Sequence, residues 1–417
     1  MTGTAVEHDP DEVAERIGSG EPARAAEIVH SLARHTPLLS SRSLSERAGG
    51  HVVLKAENLQ RTGSFKLRGA THKISRLDAP AGVVAGSAGN HGQSLAYAAR
   101  AQGIPCEVFM PREAPVAKVA AVLAFGGTVE LGGDTVDDCV AAALERAAQT
   151  GAGFVHPFDD PDVILGQATL GLELLEDVPE LRTVIVPVGG GGLISGIAGV
   201  VKTARPDVRV IGIQVDACAP FPDSLARGEP LMCTPKAPTI ADGIAVKRPG
   251  KLTLSLVKRW VDELVVVDED DTADAMVWLM ERSKLVVEGG GAVGVAALLS
   301  GKVAAGATGT TAIVLSGGNV DAGLLAAIAQ RAETTAGRRL RLFTRISDRP
   351  GGLAAMLTTI AREGGNVVHA DHVREAVSLH VRETGLEIAL ETRGPDHSDA
   401  IVAALQSDGY AVRRLDP

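Results

Sequence analysis

Aromatic side chains are scarce in this sequence: they make up 3% of its 417 residues, although 45% are hydrophobic and 48 are glycine. The core must therefore be built from Ala, Val, Leu and Ile packed closely between helices and strands, which is typical of an α/β protein. The few aromatic rings, a formal charge of -10 and the lack of any basic block argue against nucleic-acid binding. A chain of this length can form two or three domains.

Cysteine is also scarce, and the four cysteines lie far apart without a Cys-x-x-Cys pair. This spacing indicates neither a zinc site nor a disulfide framework, and it fits a reducing cytoplasm. The first 25 residues are acidic and polar, and no uninterrupted apolar span of ~20 residues occurs. We therefore expect a cytoplasmic protein that is neither exported nor inserted in a membrane.

The first 330 residues show an alternation of strands and helices. Residues 1–24 are predicted to form a flexible N-terminal arm that is loose and acidic to about Glu21, and a helix is predicted from Pro22 to Ala33. Seven strand-like runs then alternate with Ala-rich helical stretches, which predicts crossover connections and a mainly parallel sheet. Ligands bind such sheets at the carboxyl ends of the strands. The predicted strands are Val52–Ala56, Gly82–Ala85, Cys106–Met110, Thr128–Leu131, Thr183–Val188, Val208–Val215 and Thr311–Ser316.

A polar stretch at residues 331–339 interrupts this alternation and is predicted to be a linker. Residues 340–417 then read as a separate domain with the order βαββαβ, the ferredoxin-like arrangement. Its predicted elements are the strand Leu340–Ile346, the helix Gly351–Glu363, the strands Asn366–Arg374 and Leu386–Thr392, the helix Ser398–Gln406 and the strand Tyr410–Arg414.

The most informative single residue is Lys66, which lies in the run Thr62–Ala70 among small residues and directly after Phe65. A lysine in this setting can attack a carbonyl with its amine while a flat ring stacks on the aromatic neighbour, which is Schiff-base chemistry. Because most lysines are solvated surface charges, the stretch alone does not decide its role.

Three loops that follow predicted strands add polar groups at the sheet edge. The loop Gly189-Gly190-Gly191-Gly192-Leu193 opens a helix near Ile194, and its N–H groups can converge on a phosphate. The loop Ser87-Ala88-Gly89-Asn90-His91 precedes a helix predicted at Ser94–Gln102 and can hold a carboxylate. Ser316, at the end of the last strand, can face a pyridine nitrogen. For each loop the alternative to ligand binding is a purely structural role as a tight turn or a helix cap. For His91 we favour local hydrogen bonding of the imidazole.

A fourth glycine-rich segment, Gly289–Gly294, matches the G-x-G-x-x-G pattern after an apolar run. A nicotinamide-dependent dehydrogenase would need an acidic residue ~20 positions further on, and Gly306–Leu315 contains none. We therefore interpret these glycines as the start of a helix packed near the site.

Taken together, these motifs resemble those of the threonine and serine dehydratases, which are pyridoxal-phosphate enzymes of fold type II. The resemblance covers residues from about 25 to 325, with a smaller subdomain inserted at about 75–155, and the tail from Leu340 resembles an amino-acid-sensing ACT domain. The similar segments are Ser64–Ala70, Ser87–Gln93, His156–Asp160, Gly166–Thr169, the loop from Gly189 to Leu193, Ala241–Val246 and Ser316–Asn319.

The resemblance implies a role for each site residue. Lys66 would hold the cofactor as a Schiff base and then act as the base that removes the Cα proton of the substrate. The other cofactor contacts would come from Phe65 against the ring, Asn90 on the ring oxygen, Gly189 to Leu193 on the phosphate and Ser316 on the ring nitrogen. The loop from Ser87 to His91 would bind the substrate carboxylate.

Two departures from related serine racemases refine the implied activity. Ala88 replaces a serine that reprotonates Cα in those enzymes, so racemisation should be poor. Gln214 stands where they carry a metal-binding glutamate, so we expect no divalent metal at that position. The implied reaction is the conversion of L-threonine to 2-oxobutanoate and ammonia, with the conversion of L-serine to pyruvate as a side reaction.

Other functions and the binding partners stay open at this point. A serine or 3-hydroxyaspartate dehydratase of the same fold is the first alternative, and a catalytically idle amino-acid sensor is the second. Isoleucine or valine is a possible effector of the ACT-like tail, near the turn from Asp348 to Leu353, and a homodimer or homotetramer is expected. Isoleucine synthesis and threonine degradation are both compatible roles.

Overall fold

The structure is a computed structural model that describes residues 8–78, 81–235, 237–373 and 383–415. It divides into two compact units, Met1–Asp321 and Ala322–Pro417. Three parts of the predictions lie outside the described residues: positions 1–7 of the N-terminal arm, the strand end at Arg374, and positions 416–417 of the last domain.

The first unit alternates strands and helices, as predicted. Its helices are α1 Pro10–Gly18, α2 Glu21–His30, α3 Arg42–Ala48, α4 Lys66–Ser75, α5 Asn90–Ala101, α6 Val116–Ala124, α7 Val136–Thr150, α8 Pro161–Asp177, α9 Gly192–Ala204, α10 Phe221–Arg227, α11 Lys251–Trp260, α12 Glu269–Trp278 and α13 Gly289–Leu299. Its strands are β1 Leu38–Ser40, β2 His51–Lys55, β3 Val83–Gly86, β4 Cys106–Met110, β5 Thr128–Leu131, β6 Gly153–Phe154, β7 Leu181–Pro187, β8 Arg209–Val215, β9 Glu263–Val267 and β10 Thr310–Val314.

These strands form two sheets. The larger has the order β1-β2-β10-β7-β8-β9 and is parallel except for the β1–β2 pair. The smaller has the order β5-β4-β3-β6 and is parallel throughout. The prediction of a mainly parallel α/β fold is thus confirmed. Strands β1, β6 and β9 were not predicted, because two of them are very short and β9 lies at the edge of the larger sheet.

The core consists mainly of aliphatic side chains from strands and the helices that cover them, as the composition predicts. Glycine permits a close approach of α8 and α9: a Cβ at Gly196 on α9 would lie 2.6 Å from the backbone nitrogen of Ala168 on α8. Helix α13 begins with Gly289 and is buried along nearly its whole length. The interpretation of this glycine run as a helix start is therefore confirmed.

The prediction of a loose N-terminal arm is wrong for the described residues, because α1 begins at Pro10. The helix predicted at Pro22–Ala33 is present as α2, Glu21–His30. Asp9 caps α1 by accepting a hydrogen bond from the backbone of Asp11. Val13 and Ile17 lie four positions apart on one face of α1 and join a buried cluster with residues of α8, α9 and α11. This burial orders a segment whose composition is acidic.

The second unit contains a helix followed by the predicted βαββαβ order. Its elements are α14 Ala322–Thr335, β11 Arg339–Ser347, α15 Gly352–Arg362, β12 Asn366–Val373, β13 Glu383–Glu391, α16 Pro395–Ser407 and β14 Arg413–Arg414. The sheet is antiparallel with the order β12-β13-β11-β14, which is the ferredoxin-like topology. The predicted linker at 331–339 is wrong in part, because α14 continues to Thr335.

No helix within the described residues is both long enough and apolar enough to cross a membrane. The cytoplasmic location stays a prediction.

Candidate active site

One cavity of about 690 Å³ in the first unit collects the sequence motifs at the carboxyl ends of the strands. Its lining includes every site residue predicted from the sequence, although these residues come from four separate stretches of the chain. The predicted residues along its wall are Phe65, Lys66, Ser87, Ala88, Gly89, Asn90, His91, Gly189, Gly190, Gly191, Gly192, Leu193 and Ser316.

Lys66 is the first residue of α4, so its side chain extends from the start of a helix into this cavity. Its Nζ donates a hydrogen bond of 2.7 Å to the backbone oxygen of Pro157 and lies 5.2 Å from the centre of the Phe65 ring. Burial lowers the pKa of Lys66 to about 8, and the negative charge of Glu288 limits the shift. A substantial fraction of the amine is therefore neutral, and hence nucleophilic, at pH 8.

The glycine loop joins β7 to α9, which begins at Gly192, two residues earlier than the helix start predicted near Ile194. The first N–H groups of a helix have no partner within it and can bind an anion. Side chains pack directly behind the loop: a Cβ at Gly190 would lie 2.3 Å from the ring of Phe158, and one at Gly191 would lie 2.7 Å from Phe221. The loop backbone can therefore line the cavity only because these residues are glycine.

The lysine loop and the loop after β10 are joined by backbone hydrogen bonds. Phe65 donates to the oxygen of Ser316 at 3.1 Å, and Gly318 donates to the oxygen of Gly63 at 2.9 Å. The Ser316 hydroxyl is buried and makes one long contact of 3.4 Å with the backbone oxygen of Gly290. This serine is therefore fixed close to Lys66 and can still form a stronger hydrogen bond with a bound ring.

Asn90 connects three of the loops. Its Nδ2 donates to Oε1 of Glu288 at 2.8 Å, and its Oδ1 accepts from Nδ2 of Asn319 at 2.8 Å. Asn90 is also the first residue of α5, which begins four residues before the predicted Ser94. The predicted start was wrong because the small and polar residues 90–93 favour a loop by composition, yet His91 and Gln93 are buried in the helix.

Ser87 and His91 are partly committed to local hydrogen bonds. The Ser87 hydroxyl accepts from the backbone N–H groups of Gly89 and Gly92, both at 3.2 Å. The imidazole of His91 lies 2.9 Å from the oxygen of Val155, and burial lowers its pKa to about 3, so it is neutral at physiological pH. The remaining N–H groups at the start of α5 are the donors best placed to bind a carboxylate.

Sequence reasoning did not single out Glu288, the residue just before α13 that also lines the cavity. Burial, reinforced by the charge of Asp242, raises the pKa of Glu288 to about 7, while the hydrogen bond from Asn90 opposes this shift. The sequence did offer one signal for Glu288, an acidic residue between an apolar run and three glycines. Its contact with Asn90 could not be predicted, because the two positions lie 198 residues apart.

The cavity lining also includes residues that were not predicted. Lys118 on α6 forms an ion pair of 2.5 Å with Asp242, which lies in the short 3-10 helix Asp242–Ile244. Met232, Lys247 and Arg248 also line the cavity.

Gln214, at the position compared with a metal ligand, lies at the end of β8 and is fully buried. Its Nε2 donates to the oxygen of Val188 at 3.2 Å, and its Oε1 accepts from the backbone N–H of Phe221 at 3.1 Å. Both ends of the amide are thus occupied by the protein. The expectation that no divalent metal binds here stays a prediction.

The residues around the cavity fit pyridoxal phosphate on physical grounds. They include a buried amine with a lowered pKa, a glycine loop at a helix start, and a hydroxyl and an amide on the wall. The cavity also offers an aromatic ring beside the amine. Such an arrangement on a parallel α/β fold defines a pyridoxal-phosphate-dependent enzyme of fold type II.

Comparison with known proteins supports this class. The family described as pyridoxal-phosphate dependent enzyme matches residues 29–317, and this chain belongs to that family. An L-threonine ammonia-lyase of Thermotoga maritima is 45% identical over 392 residues, which cover 93% of this chain and 97% of that protein. Its similarity therefore includes much of the second unit, which lies beyond the family match.

Two solved structures share the fold. Maize serine racemase has a TM-score of 0.70 and 35% identity, covering 76% of this chain and 98% of the racemase. The processed form of threonine deaminase isoform 2 from Solanum lycopersicum has a TM-score of 0.70 and 32% identity, covering 77% of this chain and 88% of the deaminase. The fold class and the pyridoxal-phosphate cofactor predicted from the sequence are confirmed.

Proposed function

We propose that this enzyme is an L-threonine ammonia-lyase, which converts L-threonine to 2-oxobutanoate and ammonia. The observation that carries the proposal is the cavity that brings together the buried amine of Lys66, the glycine loop and the loop from Ser87 to His91. The L-threonine ammonia-lyase of Thermotoga maritima supports the choice of substrate, since it matches nearly its whole length to this chain. L-Serine, which lacks only a methyl group, would react as a poorer substrate.

Bound pyridoxal phosphate supplies an electron sink conjugated with the substrate α-carbon. The N–H groups at the start of α9 would hold its phosphate, and those at the start of α5 would orient the substrate carboxylate. Lys66 Nζ would then take the proton from Cα, because burial leaves much of this amine neutral near pH 8. Loss of the β-hydroxyl and subsequent hydrolysis give the 2-oxo acid and ammonia.

The serine at position 316 favours elimination over competing reactions. A neutral hydroxyl cannot hold a proton on the pyridine nitrogen as a carboxylate would, so the ring withdraws fewer electrons from Cα. Negative charge at Cα then persists for less time, which favours rapid loss of the β-hydroxyl over transamination. Ala88 in turn offers no hydroxyl to return a proton to Cα, so racemisation should be slow.

The direct test is the Lys66→Ala variant. We expect loss of 2-oxo acid release from L-threonine and loss of the visible absorbance of the lysine-bound cofactor, because no other group would replace the amine. The control is Lys258→Ala, a change of an exposed lysine on α11. Normal turnover of threonine by Lys66→Ala would refute the proposal. If the original enzyme releases product only from serine or 3-hydroxyaspartate, the substrate assignment must change to that amino acid.

We also propose that the second unit is an ACT domain that binds an amino-acid effector, with isoleucine and valine as candidates. The support is its ferredoxin-like topology and the extension of the Thermotoga maritima similarity beyond residue 317. Effectors of such modules bind between paired copies near the first strand-to-helix turn, here the turn that precedes α15 at Gly352. The enzyme is therefore proposed to be at least a dimer.

Regulation is tested by measuring 2-oxobutanoate release with and without isoleucine or valine, together with the mass in solution. Suppression by isoleucine would assign the enzyme to isoleucine synthesis, whereas no response to either amino acid would favour threonine degradation. A strictly monomeric mass would contradict effector binding between paired copies.

A further inference from the structure

Two of the four cysteines lie side by side next to the active-site wall. Cys218 and Cys233 are 15 positions apart in the sequence, and their Sγ atoms are separated by 3.3 Å. Cys218 is buried with 2% of its surface exposed, whereas Cys233 is partly exposed. The proposed reaction uses neither thiol.

The two cysteines belong to different parts of the structure. Cys218 follows β8 and is held to the end of that strand, since its N–H donates to the oxygen of Val215 at 3.0 Å. Cys233 lies in a segment without regular secondary structure, and its N–H donates to the oxygen of Lys247 at 2.8 Å. The pair therefore connects the rigid sheet to an irregular segment.

This irregular segment forms one wall of the cavity. We call residues 230–235 and 246–248 the mouth wall. Its two segments are joined by the backbone hydrogen bond from Cys233 to Lys247 and by a hydrogen bond of 3.2 Å from Arg248 Nε to the backbone oxygen of Pro230. Met232, Lys247 and Arg248 of the mouth wall line the active-site cavity. A covalent bond at Cys233 would act on this wall directly.

We propose that Cys218 and Cys233 form a reversible disulfide that fastens the mouth wall to the end of β8. With hydrogen peroxide as the oxidant, the partly exposed Cys233 sulfur is oxidised first to a sulfenic acid and one water is released. Cys218 then attacks the Cys233 sulfur, the S–S bond forms, and a second water leaves. Two thiols thus lose two electrons and two protons, and one peroxide is reduced to two waters.

The other two cysteines do not offer this chemistry. Cys106 on β4 and Cys139 on α7 are both buried, and the Cys139 thiol lies 3.3 Å from the backbone oxygen of Gly132. Burial raises the pKa of Cys106 to about 12, and burial together with the hydrogen bond to the Cys233 sulfur raises the pKa of Cys218 to about 12 as well. Thiol acidity therefore does not separate these two cysteines. Cys218 differs because its sulfur lies 3.3 Å from that of Cys233 and can attack it once Cys233 has been oxidised.

The test uses the full-length holoenzyme, and its readouts do not depend on catalytic activity. Thiol titration should find four free thiols in the reduced enzyme and two after limited hydrogen peroxide, with a mass loss of about 2 Da that dithiothreitol reverses. Peptide mapping should place the link between Cys218 and Cys233. Amide hydrogen exchange in the mouth wall should slow on oxidation and recover on reduction.

Matched variants separate this pair from general oxidation. Cys233→Ser should show no intramolecular link and no change of exchange with peroxide, whereas Cys139→Ser should behave like the original enzyme. Four free thiols after peroxide treatment, or a link that involves Cys106 or Cys139, would overturn the proposal. A Cys218–Cys233 link that leaves exchange in the mouth wall unchanged would equally refute the fastening of the wall.

Discussion

Arg68, two residues after Lys66 on α4, is fully buried, and its guanidinium is held between two buried carboxylates. It donates to Glu57 at 2.8 and 2.9 Å and to Glu173 at 2.6 and 3.0 Å. Lys55, also fully buried, adds an ion pair of 2.7 Å to Glu173. This network attaches the helix that carries Lys66 to the 3-10 turn after β2 and to α8.

We expect the variant Arg68→Met to lower the free energy of unfolding of the first unit by ~3–5 kcal/mol, because removing one member of a buried ion pair leaves an uncompensated buried charge. Urea unfolding followed by tryptophan fluorescence is a suitable assay, since both tryptophans, Trp260 and Trp278, belong to this unit. The control is Arg42→Ala, whose side chain is 93% exposed and whose ion pair should contribute nothing measurable.

The same variant should bind the cofactor more weakly, because α4 would no longer hold Lys66 in place; visible absorbance measures this effect. Arg68→Met combined with Glu57→Gln and Glu173→Gln should recover part of the lost stability, since both carboxylates would then be uncharged and the buried Lys55 would keep its ion pair of 2.8 Å with Asp177. A loss below ~1 kcal/mol in Arg68→Met would refute the reasoning, because it lies within the range of an ordinary substitution.

The pH dependence of stability tests the network independently. Burial alone would raise the pKa of Glu173, but the charges of Arg68 and Lys55 outweigh it and lower the pKa to about 2 from an ordinary 4.5. A lowered pKa means that the stabilisation is complete above pH 4.5 and is lost as the pH falls towards 2. Urea titrations across this interval should therefore show a smaller decline in Arg68→Met than in the original enzyme.

Two further predictions concern the cofactor site. Gly190→Ala should weaken pyridoxal phosphate binding by about 10- to 100-fold, because its Cβ would lie 2.3 Å from the Phe158 ring and displace the loop. Gly18→Ala, where no atom lies within 4 Å, is the matched control for cofactor titration, and equal affinities would contradict the prediction. Glu288→Gln should shift the pH midpoint of cofactor loading to below 8. The loading is followed by absorbance when pyridoxal phosphate is added to the apoenzyme at different pH values. The loss of negative charge lowers the pKa of Lys66 further from about 8, and an unchanged midpoint would exclude this coupling.

Much of the fold could be predicted because hydrophobic patterns are local. The strands β4 and β5 have the bounds predicted from the sequence, and β7, β8 and β10 differ by up to two residues at their ends. Where the prediction was wrong, tertiary contacts decided the structure. Helix α1 is ordered by the burial of Val13 and Ile17, and the polar residues that open α5 become helical although their composition favours a loop.

The chemistry of the site was predictable to the extent that it depends on residue type. A nucleophilic amine, a phosphate-binding glycine loop and a neutral hydroxyl each need a particular side chain or the lack of one, so Lys66, the loop from Gly189 to Leu193 and Ser316 could be named without coordinates. Their roles stay predictions until the variants are measured. Their position around one cavity follows from the parallel sheet, whose strands end at the same edge.

The sequence by itself determined the fold class and which residues can perform the chemistry, because both depend on local patterns and on the chemical nature of side chains. Only the tertiary structure decided the properties that arise between distant positions. It brings Glu288 into contact with Asn90, and burial there raises the pKa of Glu288. It also encloses Arg68 between two carboxylates and places Cys218 beside Cys233 at the mouth wall. Charge and reactivity in these places depend on burial and on neighbours in space, which no local pattern contains.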